Sequence, residues 1–212
     1  MERDNPFDPV NVPARPVVEP KPVVWIPDTN DHVKVVLPDS LPLGSRNPKF
    51  IGTLGSALSA RKPGDTIWVY GGGNGREYLL SGTLKIIGLG SLEKPLVILT
   101  FGGRVKFRLD PSQSKSYQQY CLLVENSHLR MVGFDFDGGV EYGIKVGAGL
   151  LTDGSIDLDS VNIDHSGLGI EVSNLRGPVR IRNMVIRNYR QNIAVPINFI
   201  GDSLLDTSNI YW

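Results

Sequence analysis

Residues 156–163 read Ile-Asp-Leu-Asp-Ser-Val-Asn-Ile, and residues 179–186 read Val-Arg-Ile-Arg-Asn-Met-Val-Ile. Both stretches, like residues 129–136 before them, place apolar side chains at relative positions 0, 2, 5 and 7. Positions 0 and 2 lie on one face of a strand, and the extra residue before position 5 turns the chain into a second strand. The pattern therefore predicts a pair of short strands joined at a corner and repeated along the chain.

A second motif recurs between these stretches and predicts a third strand. Its copies begin, at intervals of 22, 26 and 23 residues, at Cys121, Gly143, Gly169 and Asn192. Three short strands in a repeat of about 22–27 residues are typical of one coil of a parallel solenoid. A leucine-rich repeat has a similar period, but its fixed leucine and asparagine pattern is missing. A fourth, weaker copy of the strand pair keeps Leu205 and Ile210.

Residues 1–48 form a compositionally distinct segment that contains ten of the fifteen prolines. Because proline fixes φ and removes a backbone donor, we expect an extended N-terminal arm with no helix and no central strand. The arm carries apolar residues that a flexible spacer lacks, and such a segment suits docking on another protein. A disordered leader is the alternative. The predicted partner-binding residues are Val17, Val18, Val23, Val24, Trp25 and Ile26.

Residues 49–120 are predicted to form a short capping helix and the first, irregular coils. Residues 121–212 are predicted to form the regular coils, and we expect these coils to continue beyond the last residue. Within residues 49–60 one helical face is apolar. That face carries Phe50, Ile51, Leu54, Ala57 and Leu58. Glycine-bounded apolar runs predict strands at residues 66–70, 83–87, 95–100 and 104–108.

Several short runs resemble a known family. They are Ala60-Arg-Lys-Pro-Gly-Asp-Thr-Ile-Trp-Val, Ser81-Gly-Thr, Pro95-Leu-Val-Ile and Val132-Gly-Phe-Asp-Phe-Asp-Gly-Gly. Together they resemble the opening of the pectate-lyase-like right-handed parallel β-helices, over roughly residues 50–212. The resemblance implies an all-β, right-handed parallel β-helix solenoid. It says less about function, since lyases, hydrolases, adhesins and phage tailspikes share this fold.

The composition gives no support for several classes of partner and site. Lys and Arg number 22, and Asp and Glu also number 22, so no net charge favours nucleic acid or an anionic membrane. Cys121 is the single cysteine, which excludes an internal disulfide and a thiolate metal site. No apolar run approaches the roughly 20 residues that span a bilayer. The charged first residues lack the pattern of a secretory signal, so we expect none.

Outward residues of successive coils should stack about 4.8 Å apart and form columns. We expect these columns to pair opposite charges, which explains most of the conspicuous Asp and Arg residues by structure alone. The expected neighbours are Lys145 with Glu171, Asp157 with Arg180, Asp164 with Arg187, and a column of Asp159, Arg182 and Asp206.

The remaining candidates for catalysis are Asp135, Asp137, Asp164 and His165. The repeat places Asp137 beside Asp164 and Asp135 beside Asn162. Paired carboxyl groups serve glycoside hydrolysis, and several carboxylate oxygens can hold Ca²⁺.

The resemblance supplies two catalytic patterns for comparison. Among the proteins that the chain resembles, pectate lyases use calcium to bridge an acidic sugar to aspartates. Polygalacturonases use paired aspartates and a histidine in a Gly-His-Gly context. His165 stands instead in Asp-His-Ser-Gly, and no adjacent aspartate pair is present. We therefore predict no metal site and no cofactor, and keep calcium as the alternative.

The resemblance and the arm together favour a virion protein, the N-terminal part of a bacteriophage tailspike or tail fibre. Such a protein is expected to be a homotrimer that contacts other tail proteins through its arm and host surface polysaccharide through its β-helix. The alternative is a stand-alone pectate-lyase-like polysaccharide lyase or glycoside hydrolase. Such enzymes are usually exported, and the missing export signal counts against it.

Overall fold

The computed structural model describes residues 32–36, 50–51, 53–73, 75–112, 119–147, 153–188, 197–200 and 205–211. Within these residues one short helix and seventeen strands form. In chain order they are β1 (Val33–Val36), β2 (Phe50–Ile51), α1 (Leu54–Ser59), β3 (Thr66–Tyr70), β4 (Arg76–Leu80), β5 (Leu84–Ile87), β6 (Leu96–Phe101), β7 (Val105–Leu109), β8 (Tyr120–Glu125), β9 (His128–Val132), β10 (Phe134–Asp137), β11 (Tyr142–Val146), β12 (Ser155–Asp159), β13 (Asn162–Asp164), β14 (Leu168–Ser173), β15 (Val179–Arg187), β16 (Ile197–Ile200) and β17 (Leu205–Tyr211).

The strands build a right-handed parallel β-helix of about four turns, which confirms the predicted fold class. The first face contains β2, β1, β3, β6, β9, β12 and the start of β15. The second face contains β4, β7, β10, β13 and the end of β15. The third face contains β5, β8, β11, β14 and β16. Each strand pairs in parallel with the equivalent strand one coil away, so side chains at the same position of successive coils stack.

The stacked interior is built from the positions that the sequence pattern identified. Ile156 pairs with Leu129 on one side and with Val179 on the other, and Ile163 lies between Phe136 and Ile186 in the same way. All of these side chains are at most 1% exposed. Full burial of one such side chain stabilises a fold by about 1.5–3 kcal/mol, so the aligned stacks supply the main driving force.

The corner between the first two faces depends on a left-handed backbone position. It is occupied in successive coils by Gly133, Ser160, Asn183 and Asn209, with φ of 88°, 54°, 52° and 54°. Asparagine tolerates this region better than most residues. The Asn209 amide donates to Asn183 Oδ1 (3.0 Å), and the Asn183 amide donates to Asp159 Oδ1 (2.8 Å). Gly133 is required because a Cβ there would lie 2.3 Å from Thr100 Oγ1.

The predicted capping helix is present, but it begins later than expected. Residues 50–51 form strand β2 beside β1, and α1 begins after Thr53, whose side chain accepts a hydrogen bond from the Ser56 amide. Thr53 therefore acts as an N-cap that stops the helix from extending backwards. Leu54, Ala57 and Leu58 are buried in the core.

The expectation that residues 1–48 hold no central strand was wrong. Strand β1 lies between β2 and β3, in parallel with both. Ten residues without proline separate Pro27 from Pro38, which leaves the backbone donors that a central strand requires. The predicted partner-binding residues, between Val17 and Ile26, lie outside the described residues.

Two alignments near the end of the chain were also wrong. The strand that pairs with β14 is β16, with Ile197 opposite Ile170, and not the stretch that begins at Asn192. Leu205 lies opposite Val179, so Ile210 lies opposite Met184. Residues 192–195 lie outside the described residues. Because side chains alternate with a period of two, an even shift keeps the same residues facing inward, and the apolar pattern alone does not distinguish such registers.

A buried charge cluster ties β1 to the first coil. The Asp65 carboxylate is fully buried and accepts hydrogen bonds from the Lys34 ammonium and from the Lys62 amide (2.6 Å), while His32 Nδ1 lies 3.0 Å away. Burial raises the pKa of Asp65, but the hydrogen bonds from Lys34, Lys62 and His32 outweigh burial, so the pKa is lowered overall. The ionised carboxylate therefore stabilises the folded protein.

Replacing Asp65 by Asn should lower the free energy of unfolding at pH 7 by about 3 kcal/mol, because Lys34 would keep its charge without a partner. The native pKa of Asp65 lies below its unfolded value, so this stabilisation is present above about pH 4 and is lost as the pH falls through the native pKa. Urea denaturation at pH 7 and pH 3 should therefore show a difference between the two proteins that shrinks in acid. Asp153→Asn, at a side chain that is 84% exposed, is the control. Equal effects of the two substitutions at pH 7 would contradict the assignment.

Candidate functional site

The outer surface of the second face carries two parallel columns of mostly charged side chains. Outward positions on β4, β7, β10, β13 and β15 align through the paired strands. The first column contains Glu77, Lys106, Asp135, Asn162 and Val185. The second contains Leu79, Arg108, Asp137, Asp164 and Arg187. The strand register thus brings together Asp135, Asp137 and Asp164, as the repeat predicted.

Asp135 is held by a clamp from the corner before β7. Arg104 Nε lies 3.1 Å from both carboxylate oxygens of Asp135, and the Arg104 guanidinium also donates to the Ser160 carbonyl (2.9 Å). The Asn162 amide donates to Asp135 Oδ1 (2.8 Å). Bidentate pairs between arginine and carboxylate have a narrow geometry, so Asp135 is fixed in orientation.

Asp137 lies close to two cations, Lys106 and Arg108, which compensate its negative charge. Its side chain is 11% exposed, and Lys106 Nζ lies 2.6 Å from Asp137 Oδ2, with Arg108 Nε at 4.0 Å. The hydrogen bond to Asp137 raises the pKa of Lys106. Lys106 is therefore a fixed positive charge at neutral pH and is poorly suited to remove a proton. Asp137 and Asp164 occupy paired positions on neighbouring strands, as predicted. The neighbouring cation Lys106 offsets the repulsion between the two carboxylates.

His165 follows β13 at the edge of this surface, with a φ of 50°. Its Nδ1 lies 3.0 Å from Asp137 Oδ1 and 3.3 Å from Asp164 Oδ1, and its side chain is 62% exposed. The Asn188 amide also donates to Asp164 Oδ1 (2.8 Å). A carboxylate on one ring nitrogen selects the tautomer and leaves Nε2 for a ligand. The described geometry therefore allows His165 to accept a proton from a bound molecule.

A cleft opens between the two columns, and we call it the outer cleft. It has a volume of about 170 Å³. Its polar lining consists of Lys106, Asp135, Asn162, Asp164 and Arg187. A second hollow, beside Glu77 and Arg104, shares Lys106 and Asp135 with it, so the two lie in line along the solenoid.

Arg187 lies at one end of the outer cleft. It is exposed and forms no ion pair with any other described residue, although its position aligns with Asp164. The predicted adjacency of Asp164 and Arg187 is thus confirmed in register. Among the described residues, Arg187 is therefore the cation of the cleft that is not held in an ion pair.

The sequence located the four acidic and histidine candidates but missed the basic side of the site. Arg104, Lys106 and Arg108 alternate with the buried residues Val105, Phe107 and Leu109, so strand alternation would have placed these cations outward. Strand β4, which carries Glu77, was not predicted because Tyr78, Leu79 and Leu80 show no alternation.

The charge columns on the other faces follow the predictions with two exceptions. Lys145 contacts Glu171, and Asp159 aligns with Arg182 at 3.6 Å. Asp157 aligns with Arg180, but its ion pair runs to Arg182, at 2.7 Å. Asp206 lies beside Arg180 and not beside Arg182, because of the two-residue shift of β17.

The described part of the chain shows no reactive thiol and no cluster of metal ligands. Burial raises the pKa of the Cys121 thiol to about 12, so the thiolate is not formed at neutral pH. Among the residues that the structure describes, no group of three or more His, Cys, Asp or Glu side chains is arranged to hold a metal ion. The same residues include no helix long and apolar enough to cross a membrane.

Comparisons of the chain with protein-family models, with curated proteins and with solved structures found no match. The fold and the geometry of the outer cleft are therefore the features that indicate its function.

Replacing Asp135 by Asn should lower the free energy of unfolding by about 1 kcal/mol, since Arg104 would lose its charged partner while the shape is kept. Both side chains are partly exposed, so the effect should shrink in about 1 M salt, where charges are screened over roughly 3 Å. Urea denaturation at low and high salt measures it. Glu93→Gln, at an exposed residue without an ion pair in the described structure, is the control. A loss that is the same at both salt concentrations would contradict the clamp.

Proposed function

We propose that the chain is a bacteriophage tail protein, a tailspike or tail fibre, that recognises host surface polysaccharide. In this proposal the outer cleft on the second face binds the glycan, and the N-terminal arm attaches the protein to other tail proteins. The protein is a homotrimer in the particle. The parallel β-helix fits polysaccharide-recognising proteins in general, and the narrower role is the proposal.

The observation that carries the proposal is the outer cleft itself. Two of its lining groups are held in place before any ligand arrives, Asp135 by Arg104 and Lys106 by Asp137. A preorganised set of donors and acceptors loses little entropy on binding, which favours a ligand rich in hydroxyl groups. The second hollow in line with the cleft extends the same surface, as an elongated polymer requires.

The N-terminal segment supports attachment to a larger particle. Residues 1–31 carry seven prolines and apolar residues that suit an extended strand on a partner's surface. Strand β1 follows the arm and is part of the first face, so a partner bound to the arm would be joined to the solenoid through this strand.

A second candidate function is polysaccharide cleavage, in a stand-alone lyase or hydrolase. The geometry that favours it is the contact of His165 with Asp137 and Asp164, which is suited to proton transfer. The raised pKa of Lys106 counts against this residue as the base. Cleavage would therefore depend on His165 or on one of the carboxylates.

Arg187→Ala should weaken binding of the preferred glycan by about ten- to a hundredfold, since one charge-assisted hydrogen bond is worth about 1.5–3 kcal/mol. Titration calorimetry against a panel of neutral and acidic bacterial surface polysaccharides would identify the ligand and measure the loss. Arg176→Ala, at an exposed arginine outside the cleft, should leave the affinity unchanged. Equal losses in the two variants would exclude the outer cleft as the binding site.

Deleting residues 1–22, which include Val17 and Val18, should abolish incorporation into particles and leave the β-helix folded. The deletion spares β1 because removing Lys34 and Val36 would disrupt the cluster around Asp65 and the core. Particles assembled with the truncated protein can be assayed for its presence, with circular dichroism and native mass as controls for folding and assembly. Normal incorporation of the folded, truncated protein would contradict the tail-protein proposal.

A further inference from the structure

A second apolar cluster lies outside the first face, at its N-terminal end. Ile67 and Val69 face the core, so Trp68 and Tyr70 point outward, and the strand register places Val35 and Leu99 beside Trp68. Phe101 lies opposite Tyr70. We call Val35, Trp68, Tyr70, Leu99 and Phe101 the outer cluster. Its rings are in contact, with centroid distances of 6.4 Å for Trp68 and Phe101 and 5.3 Å for Tyr70 and Phe101.

Three members of the outer cluster are buried although they face away from the core, and Trp68 and Leu99 are half-buried. Val35 is 0% exposed, Tyr70 7% and Phe101 5%, and none of the three belongs to the interior core cluster. Strands β3 and β6 read Thr-Ile-Trp-Val-Tyr and Leu-Val-Ile-Leu-Thr-Phe. Near-continuous apolar runs of this kind are typical of strands that are covered on both sides.

The same face is polar further along the solenoid. Outward positions on β12 and β15 carry Asp157, Asp159, Arg180 and Arg182. The apolar outside is therefore confined to the first coils, next to the place where the N-terminal segment joins β1. A covering segment is needed at that place and not elsewhere on the face.

The chain itself provides a segment of suitable chemistry within reach. Six residues separate the end of Val23-Val-Trp-Ile from Val33. Six extended residues span up to about 20 Å. The outer cluster covers β1, β3 and β6, a distance of about 10 Å at the usual strand spacing. The segment can therefore fold back over the whole cluster without leaving its own chain.

We infer that Val23–Ile26 packs on the outer cluster of the same chain, with Trp25 as its main anchor. The segment forms an apolar layer outside the first face and completes the burial of β3 and β6. Tryptophan supplies the largest contact area for such a layer. This assigns Val23, Val24, Trp25 and Ile26 to the protein's own β-helix and leaves Val17 and Val18 for an external partner. The inference holds for either of the candidate functions, because it depends only on the chain.

The accessibility of Trp25 tests the inference directly. Trp68→Phe and Trp212→Phe in the full chain leave Trp25 as the single tryptophan, and acrylamide quenching of its fluorescence reports its exposure. In the folded protein the quenching constant should be several-fold lower than in urea. Quenching that is as efficient in the folded protein as in urea would overturn the inference, whatever the result with particles or glycans.

A matched pair of leucine variants locates the contact. Leu99→Ser, in the outer cluster, should at least double the quenching constant of Trp25. Leu92→Ser, at a leucine that is 64% exposed and lies in a turn, should leave it unchanged. Leu99→Ala repeats the test with a milder change if circular dichroism shows that Leu99→Ser does not fold. Equal quenching in the Leu99 and Leu92 variants would place Trp25 elsewhere and overturn the inference.

Dilution distinguishes the same chain from a second copy. Protection of Trp25 that is constant over a hundredfold range of protein concentration supports a contact within one chain. Protection that is lost on dilution would assign the segment to a neighbouring copy and overturn the intramolecular contact.

Discussion

Parallel hydrogen bonding between successive coils is the constraint on which the rest of this structure depends. It places each residue about 4.8 Å from the equivalent residue of the next coil, inside and outside alike. Inside, identical positions can all be apolar, as Leu129, Ile156 and Val179 are, because like stacks on like without cost. Outside, like charges would repel, so neighbouring coils mostly carry opposite charges or amides. Where Asp137 meets Asp164, Lys106 offsets the repulsion between the two carboxylates.

The candidate site follows from the same constraint. The contact of Lys106 with Asp137 and the clamp of Arg104 on Asp135 join one coil to the next, so they stabilise the solenoid and orient the cleft at the same time. A side chain that is held from both neighbouring coils moves little when a ligand binds. The same charged side chains can therefore stabilise the stacked coils and contact a bound ligand.

The sequence predicted the interior well because the constraint there is strict. Every apolar position from Leu129 to Ile186 in the strand-pair pattern is buried as expected. Even-numbered shifts keep this pattern, which is why Asp206 and the strand at residues 197–200 were misplaced. The cations on β7 were missed because the corner before that strand is longer than in later coils and breaks the repeat. Strand β1 was missed because the surrounding prolines masked a proline-free interval.

The outward-facing side chains of the first face change in character along the solenoid axis, whereas the inward-facing side chains stay apolar throughout. Different parts of the outer surface are therefore suited to different roles. The core needs only apolar bulk, so it places no restriction on what the opposite side of each strand carries. The first face is apolar outside at Trp68 and Leu99 and charged outside at Asp157 and Arg180. An apolar exterior requires a permanent cover, whereas a charged exterior can meet water and exchange it for a polar ligand. On the first face, an apolar exterior in the first coils therefore needs a cover, and the charged exterior of the later coils does not.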